Sequence, residues 1–200
     1  MAPTITKFLT ALLGRQHKKI VILGLDEAGG HDLLKLVSST PVQRKQYNAA
    51  TWPFVRTGTS RAQRRDFDFV EVEKGGSAPY KYLLWIAEQF RDADAFIWVL
   101  DAEDRDRFEE ARGELRKARR GWRLRHGDKE VCQEAVRPEA PWLVLVDFKK
   151  KPLDIAEATS QAERVVVDSR DNLDWSHRAI STTTSEGIKE AMGWLYKKLK

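Results

Sequence analysis

The chain has one cysteine, Cys132, in 200 residues, so no internal disulfide can staple it. That excludes a disulfide-framework fold and is the usage expected in a reducing compartment. No apolar run approaches the roughly 18 residues of a membrane span, and no secretory signal pattern opens the chain. Internal repeats and low-complexity tracts are also missing, which excludes solenoids and flexible polar linkers. A large excess of one charge sign is missing: a net +5 is weak support for an acidic partner. What is present is ordinary for one globular domain, 42% hydrophobic and 32% charged, with length enough to bury a core. Tryptophan is plentiful at seven residues. Most are expected in the core, although large aromatics also suit binding hot spots.

The informative stretch is Ile20-Val21-Ile22-Leu23-Gly24-Leu25-Asp26-Glu27-Ala28-Gly29-Gly30-His31-Asp32-Leu33-Leu34. It reads as a buried strand, a glycine-punctuated loop and the start of an apolar-faced helix. Phosphate-cradling loops have that setting, with the pattern G-x-x-x-x-G-K-[ST]. Gly24 and Gly29 hold the two fixed glycine positions, but Gly30 stands where the lysine belongs and His31 where the metal-binding hydroxyl belongs. Asp32 adds a carboxylate at the helix end that would otherwise face a phosphate. His31 and Asp32 could be read as a metal or acid–base pair, but adjacent side chains rarely converge on one point without further ligands. Helix capping is the plainer role. The loop amides could still form an anion nest.

Ahead of this stretch, Ile5, Phe8, Leu9, Leu12 and Leu13 follow the spacing of one helix face, with Lys7, Arg15, Lys18 and Lys19 around or after it. Such a helix packs on the body of the domain or lies at a membrane interface or partner surface. Beyond it, strands are expected near 20–23, 54–60, 66–73, 95–100 and 142–146, with a short piece around Arg178–Ser181. Helices are expected near 30–38, 80–90, after Asp101 or Asp104, near 154–164 and from Ser185. A polar loop runs through Pro41 and Pro53, a short piece covers Val165–Val167, and residues 121–140 make a polar surface excursion. Asp101 or Asp104 is positioned to cap the helix whose core face is Phe108, Ala111, Leu115 and Ala118. The closing helix turns Ile188, Ala191, Met192, Leu195 and Leu199 inward. Strands alternating with helices argue for a doubly wound, mostly parallel sheet. The basic stretch Arg112, Arg116, Lys117, Arg119, Arg120, Arg123, Arg125 and His126 reads first as a solvated helix end, and second as a patch for nucleic acid or anionic lipid.

The order of elements and two motifs resemble the Arf/Arl (ADP-ribosylation-factor-like) small GTPases over nearly the whole chain. Ile22-Leu23-Gly24-Leu25-Asp26-Glu27-Ala28-Gly29 is similar to that family's I-L-G-L-D-x-A-G. The stretch from Val99 to Leu115, with Asp101, Asp104-Arg105-Asp106-Arg107 and Glu110-Ala111-Arg112-Gly113-Glu114-Leu115, is similar to its V-V-D-S-x-D-R-x-R followed by E-A-R-x-E-L. The resemblance implies a P-loop G domain with a mostly parallel six-stranded sheet over 20–200, and an amphipathic N-terminal segment over 1–19. It also aligns the family's functional residues with substitutions. Thr51-Trp52-Pro53-Phe54 takes the place of the first switch, T-x-P-T. Val72-Glu73-Lys74-Gly75-Gly76-Ser77 takes that of W-D-V-G-G-Q, putting Ser77 at the water-positioning glutamine and Glu73 at the magnesium-shell aspartate. Phe148-Lys149-Lys150-Lys151 takes that of the base-reading N-K-x-D, leaving only the lysine. Near Ser181-Thr182-Thr183 the last guanine-contacting loop is unconvincing.

The resulting expectation is an Arf-like pseudo-GTPase: a protein-interaction module, in membrane trafficking, that needs neither guanine nucleotide nor magnesium and does not hydrolyse GTP. An atypical GTPase that still holds GTP or GDP with Mg²⁺, and a basic nucleic-acid-associated protein, are the alternatives. The candidate interface comprises Phe8, Leu9, Leu12, Leu13, Trp52, Phe54, Lys74 and Ser77, with Trp52 and Phe54 either exposed to a protein partner or folded into the nucleotide cavity. The expected location is cytoplasmic, with peripheral membrane contact through the first helix. Ala2 replaces the glycine that N-myristoylation requires.

Overall fold

A computed structural model describes residues 17–46, 54–63, 65–72, 90–126, 129–133, 139–166 and 174–200. The first strand, β1 (His17–Gly24), runs through the middle of the molecule. Its Ile20, Val21 and Ile22 are fully buried, and successive residues enter opposite cores, as a strand covered on both faces requires. Between β1 and the first helix, α1 (Gly30–Val37), lies the glycine-punctuated loop. β2 (Gln43–Gln46), β3 (Phe54–Ala62) and β4 (Arg65–Val72) follow, then β5 (Ala95–Asp101). A 3-10 turn at Arg105–Arg107 leads into α2 (Phe108–Arg120). The ribbon β6 (Trp122–His126) and β7 (Lys129–Gln133), then β8 (Trp142–Asp147), α3 (Ile155–Val166), β9 (Trp175–Ile180) and α4 (Ile188–Lys198) complete the chain.

The main sheet has the order β2-β3-β4-β1-β5-β8-β9. Pairings from β4 through β9 are parallel, while β2–β3 and β3–β4 are antiparallel. α1 and α4 belong to one core with Phe67, Phe69, Ile97, Leu143 and Leu145. α2 and α3 belong to the other with Phe96, Trp98, Trp142, Val144 and Val146. Each fully buried leucine, such as Leu33 and Leu34 under α1, stabilises the fold by roughly 1.5–3 kcal/mol. Parallel pairing carries the ends of β1, β5, β8 and β9 to the same rim, so the loops after them meet there.

The sheet has seven strands where six were expected. The extra one, β2, contains no apolar residue, and pairing with β3 rather than hydrophobic patterning makes it a strand. β1 begins at His17, ahead of its apolar core. Asp94 holds Lys19 N at 2.9 Å and Lys18 Nζ at 3.1 Å, and Asp68 lies 3.2 Å from His17 Nδ1. Val165 and Val166 close α3 instead of forming a strand. Within 121–140, β6 and β7 pair as a separate two-stranded ribbon. α2 buries Phe108, Ala111, Leu115 and Ala118, and α4 buries Ile188, Ala191, Met192 and Leu195, as their periodicities require. The N-terminal segment through residue 16, Trp52, the stretch 73–77 and nearly all of the helix near 80–90 lie outside the described residues.

Candidate functional site

The loop leaves β1 at Gly24 and turns through an Ala28 N to Leu25 O hydrogen bond of 3.2 Å. Glu27 adopts φ 62° and Gly29 φ 100°, and Gly29 caps α1 in the left-handed region. A side chain at Gly29 would be strained by that φ and would also collide, since its Cβ would fall 2.7 Å from Asp147 Oδ2. A Cβ on Gly30 would stand 3.6 Å from Glu71 Oε1. Asp32 lies in the first turn of α1 and pairs with Lys35 at 3.0 Å. The positive end of the helix therefore already faces carboxylates of this chain: Asp32, Glu71 behind Gly30, and Asp147 beside Gly29. His31 is partly buried on the first turn of α1. Among the described residues no three His, Cys, Asp or Glu side chains form a metal-binding group.

Asp26, the loop's other acid, is held by Arg107 Nη2 at 2.8 Å. Arg107 Nε also lies 3.3 Å from both Asp104 and Glu110, so one guanidinium ties the loop to the start of α2. Asp104 makes no capping bond to that turn, whereas Asp101 Oδ1 accepts from Glu103 N at 2.9 Å.

The stretch in the base-reading position is closed on the protein's own groups. Phe148 is buried in the α2–α3 core. Lys149, at φ 52°, sends its ammonium to Asp101 Oδ2 at 2.5 Å, and Lys151 pairs with Glu103 at 2.6 Å. Burial alone would lower the Lys149 pKa. The hydrogen bond and charge of Asp101, with the charges of Asp147 and Glu103, outweigh it and hold the ammonium above the usual lysine range.

Asp147 is fully buried and accepts from Lys149 N at 2.9 Å, Thr182 N at 3.0 Å and Thr182 Oγ1 at 2.5 Å. Ser181 donates its hydroxyl to Lys149 O and accepts from Thr184 N at 3.0 Å. The loops after β1, β5, β8 and β9 thus brace one another through side chains of this chain.

Two of these groups were hidden in the sequence. Glu71 pairs with Arg56 at 2.9 Å, both largely buried, in directly opposed positions of β4 and β3. Its signal is parity: Glu71 shares the inward face of Phe67 and Phe69. Asp147 closes an apolar strand without interrupting it, so only its burial reveals it.

The basic stretch is partly structural. Arg119 is buried and donates from Nη1 to Val166 O at 3.3 Å, satisfying a carbonyl at the end of α3. Lys117 pairs with Glu114 at 2.8 Å and Arg112 with Glu109 at 3.7 Å. The side chains of Arg123, Arg125 and His126 lie outside the described residues, as do Phe8, Leu9, Leu12, Leu13, Trp52, Lys74, Ser77 and the Phe54 side chain. No helix among the described residues is long and apolar enough to cross a membrane.

The family model of the ADP-ribosylation factor family matches residues 5–199. Among solved structures, the Arl6 (BBS3) small GTPase from Trypanosoma brucei with bound nucleotide analogue GppNp is similar with a TM-score of 0.61. That match covers 92% of this chain and 98% of that one at 20% identity, a likeness of fold.

Proposed function

This chain belongs to the ADP-ribosylation factor family, and from that premise we propose that it is a pseudo-GTPase, a G-domain fold used as a nucleotide-independent protein-interaction module. The observation that carries the reading is the closure of the nucleotide rim by the chain's own charges. Lys149 is committed to Asp101 and Lys151 to Glu103, while Asp147, Glu71 and Asp32 surround the helix start that would receive phosphate. A phosphate approaching those amides without a P-loop lysine meets carboxylates, and each such approach costs what the helix dipole would have supplied. The residues at this site do not fit guanine nucleotide with magnesium.

A switch driven by a γ-phosphate needs a segment that the phosphate orders and releases. Here the rim is braced without one, so the partner-binding surface is constitutive. The partner is a protein that engages the switch-like surface of Trp52, Phe54, Lys74 and Ser77, with the N-terminal segment adding contact to a membrane or to that partner; membrane trafficking is the setting this suggests. The roles of Arg119, Lys117 and Arg112 in binding the fold's own groups favour this reading over nucleic-acid binding.

Nucleotide binding is the direct test. The purified chain is extracted for bound nucleotide, then heated with GDP or GTP and Mg²⁺, and separately with EDTA. A ligand that binds only the native state must raise Tm. We expect no bound nucleotide, no stabilisation, and an unchanged Tm in EDTA. Co-purifying guanine nucleotide, or a nucleotide-dependent rise that EDTA abolishes, would replace this reading with an atypical GTPase.

A further inference from the structure

Beside the glycine loop, α1 and the strands β2 and β3 border a cavity of about 610 Å³. His31 and Lys35 reach it from successive turns of α1, Arg44 from β2 and Arg56 from β3, and Pro41 and Val42 add an apolar wall. Three permanent cations and a histidine therefore converge from three elements. None of its described lining residues is acidic. Asp32 holds Lys35 at 3.0 Å and Glu71 holds Arg56 at 2.9 Å, and neither carboxylate is among the described lining residues.

The volume lies in the range of roughly 300–1,000 Å³ that small ligands occupy. Two guanidinium groups with an ammonium form a donor set matched to phosphoryl oxygens, because a planar guanidinium can engage two of them at once.

We propose that this cavity binds a phosphate ester, carried by a soluble small molecule or by a lipid headgroup, at a site separate from the glycine loop. Lys35 and Arg44 are the residues to alter, since both are exposed and neither supports the core. The full chain is titrated calorimetrically with pyrophosphate and inositol hexakisphosphate, and co-sedimented with phosphatidylcholine vesicles with or without a phosphatidylinositol phosphate. The Lys35→Gln/Arg44→Gln variant is compared with Arg112→Gln/Lys117→Gln, which removes equal charge from α2.

We expect saturable binding that weakens about tenfold or more in the cavity variant, as the loss of charged hydrogen bonds implies, and little in the α2 variant. Binding of the soluble probes alone identifies a soluble ester; vesicle binding with the same dependence on Lys35 and Arg44 identifies a headgroup. Absence of saturable binding, or equal loss in both variants, overturns the proposal. Binding that survives in the cavity variant and is displaced by GDP also overturns it. That last outcome alone would count against the pseudo-GTPase reading as well.

Discussion

Arg56 and Glu71 concentrate the energetics of the site in one contact. They face each other across β3 and β4 with little solvent access, and a buried pair is far more costly to break than to replace. Arg56→Ala leaves the Glu71 carboxylate buried without its arginine and should cost roughly 3 kcal/mol in urea unfolding. The paired Arg56→Met/Glu71→Leu variant should cost about 1 kcal/mol or less, because no uncompensated charge remains. Equal losses in the two variants would mean that removing the carboxylate recovers nothing, so the unpaired charge is not what Arg56→Ala costs.

Among the elements, the seam between β9 and α3 carries the clearest pH sensitivity. The Thr159 hydroxyl donates to Ile155 O at 2.8 Å, so at 3.0 Å it accepts from His177 Nε2, which assigns the proton of the neutral ring to Nε2. Burial lowers the His177 pKa, neighbouring Arg178 lowers it further, and Glu163 opposes them. The unfolded chain therefore takes up this proton before the folded one. The histidine's contribution is intact above the ordinary value of 6.5 and is lost as pH falls through the lower folded value. In urea unfolding at about pH 7 and about pH 5.5, His177→Gln should lose less stability on acidification than the unaltered chain. An identical loss would place the acid sensitivity elsewhere.

Elements were legible in proportion to how far their patterning was hydrophobic. The faces of α2 and α4 follow from periodicity, and the strands β1, β5 and β8 from short continuous apolar runs. β2 could not be read that way, because Gln43, Arg44, Lys45 and Gln46 owe their strand to a partner in β3. Of the site, the altered loop residues were plain in the sequence. The Lys149–Asp101 bond was not, since it joins residues 48 positions apart through a left-handed backbone turn that no local pattern announces.

For the whole molecule, an open sheet has two edges to protect from pairing with another chain. The β2 edge is only four residues long. At the other edge, Asp174 O and Ile180 O accept from Trp142 N and Phe148 N on the β8 side, so alternation turns the His177 and Ala179 carbonyls outward. Arg178 covers the first with its own guanidinium at 2.5 Å, and the start of α4 closes over the second at Gly187, where a Cβ would fall 2.4 Å from Ala179 O. Arg178→Val exposes the His177 carbonyl and raises strand propensity there. Light scattering should then show larger species growing with concentration relative to the unaltered chain, and unchanged mass would show that Arg178 does not guard the edge.

The carboxylate behind Gly30 also couples the loop to β3 and β4. A lysine placed at that position would begin its side chain 3.6 Å from Glu71 Oε1. Removing Glu71 first would strand Arg56, and removing Arg56 first would strand Glu71. Position 30 is thus coupled to the Arg56–Glu71 pair, so Gly30→Lys, Arg56 and Glu71 changes are expected to be non-additive in stability.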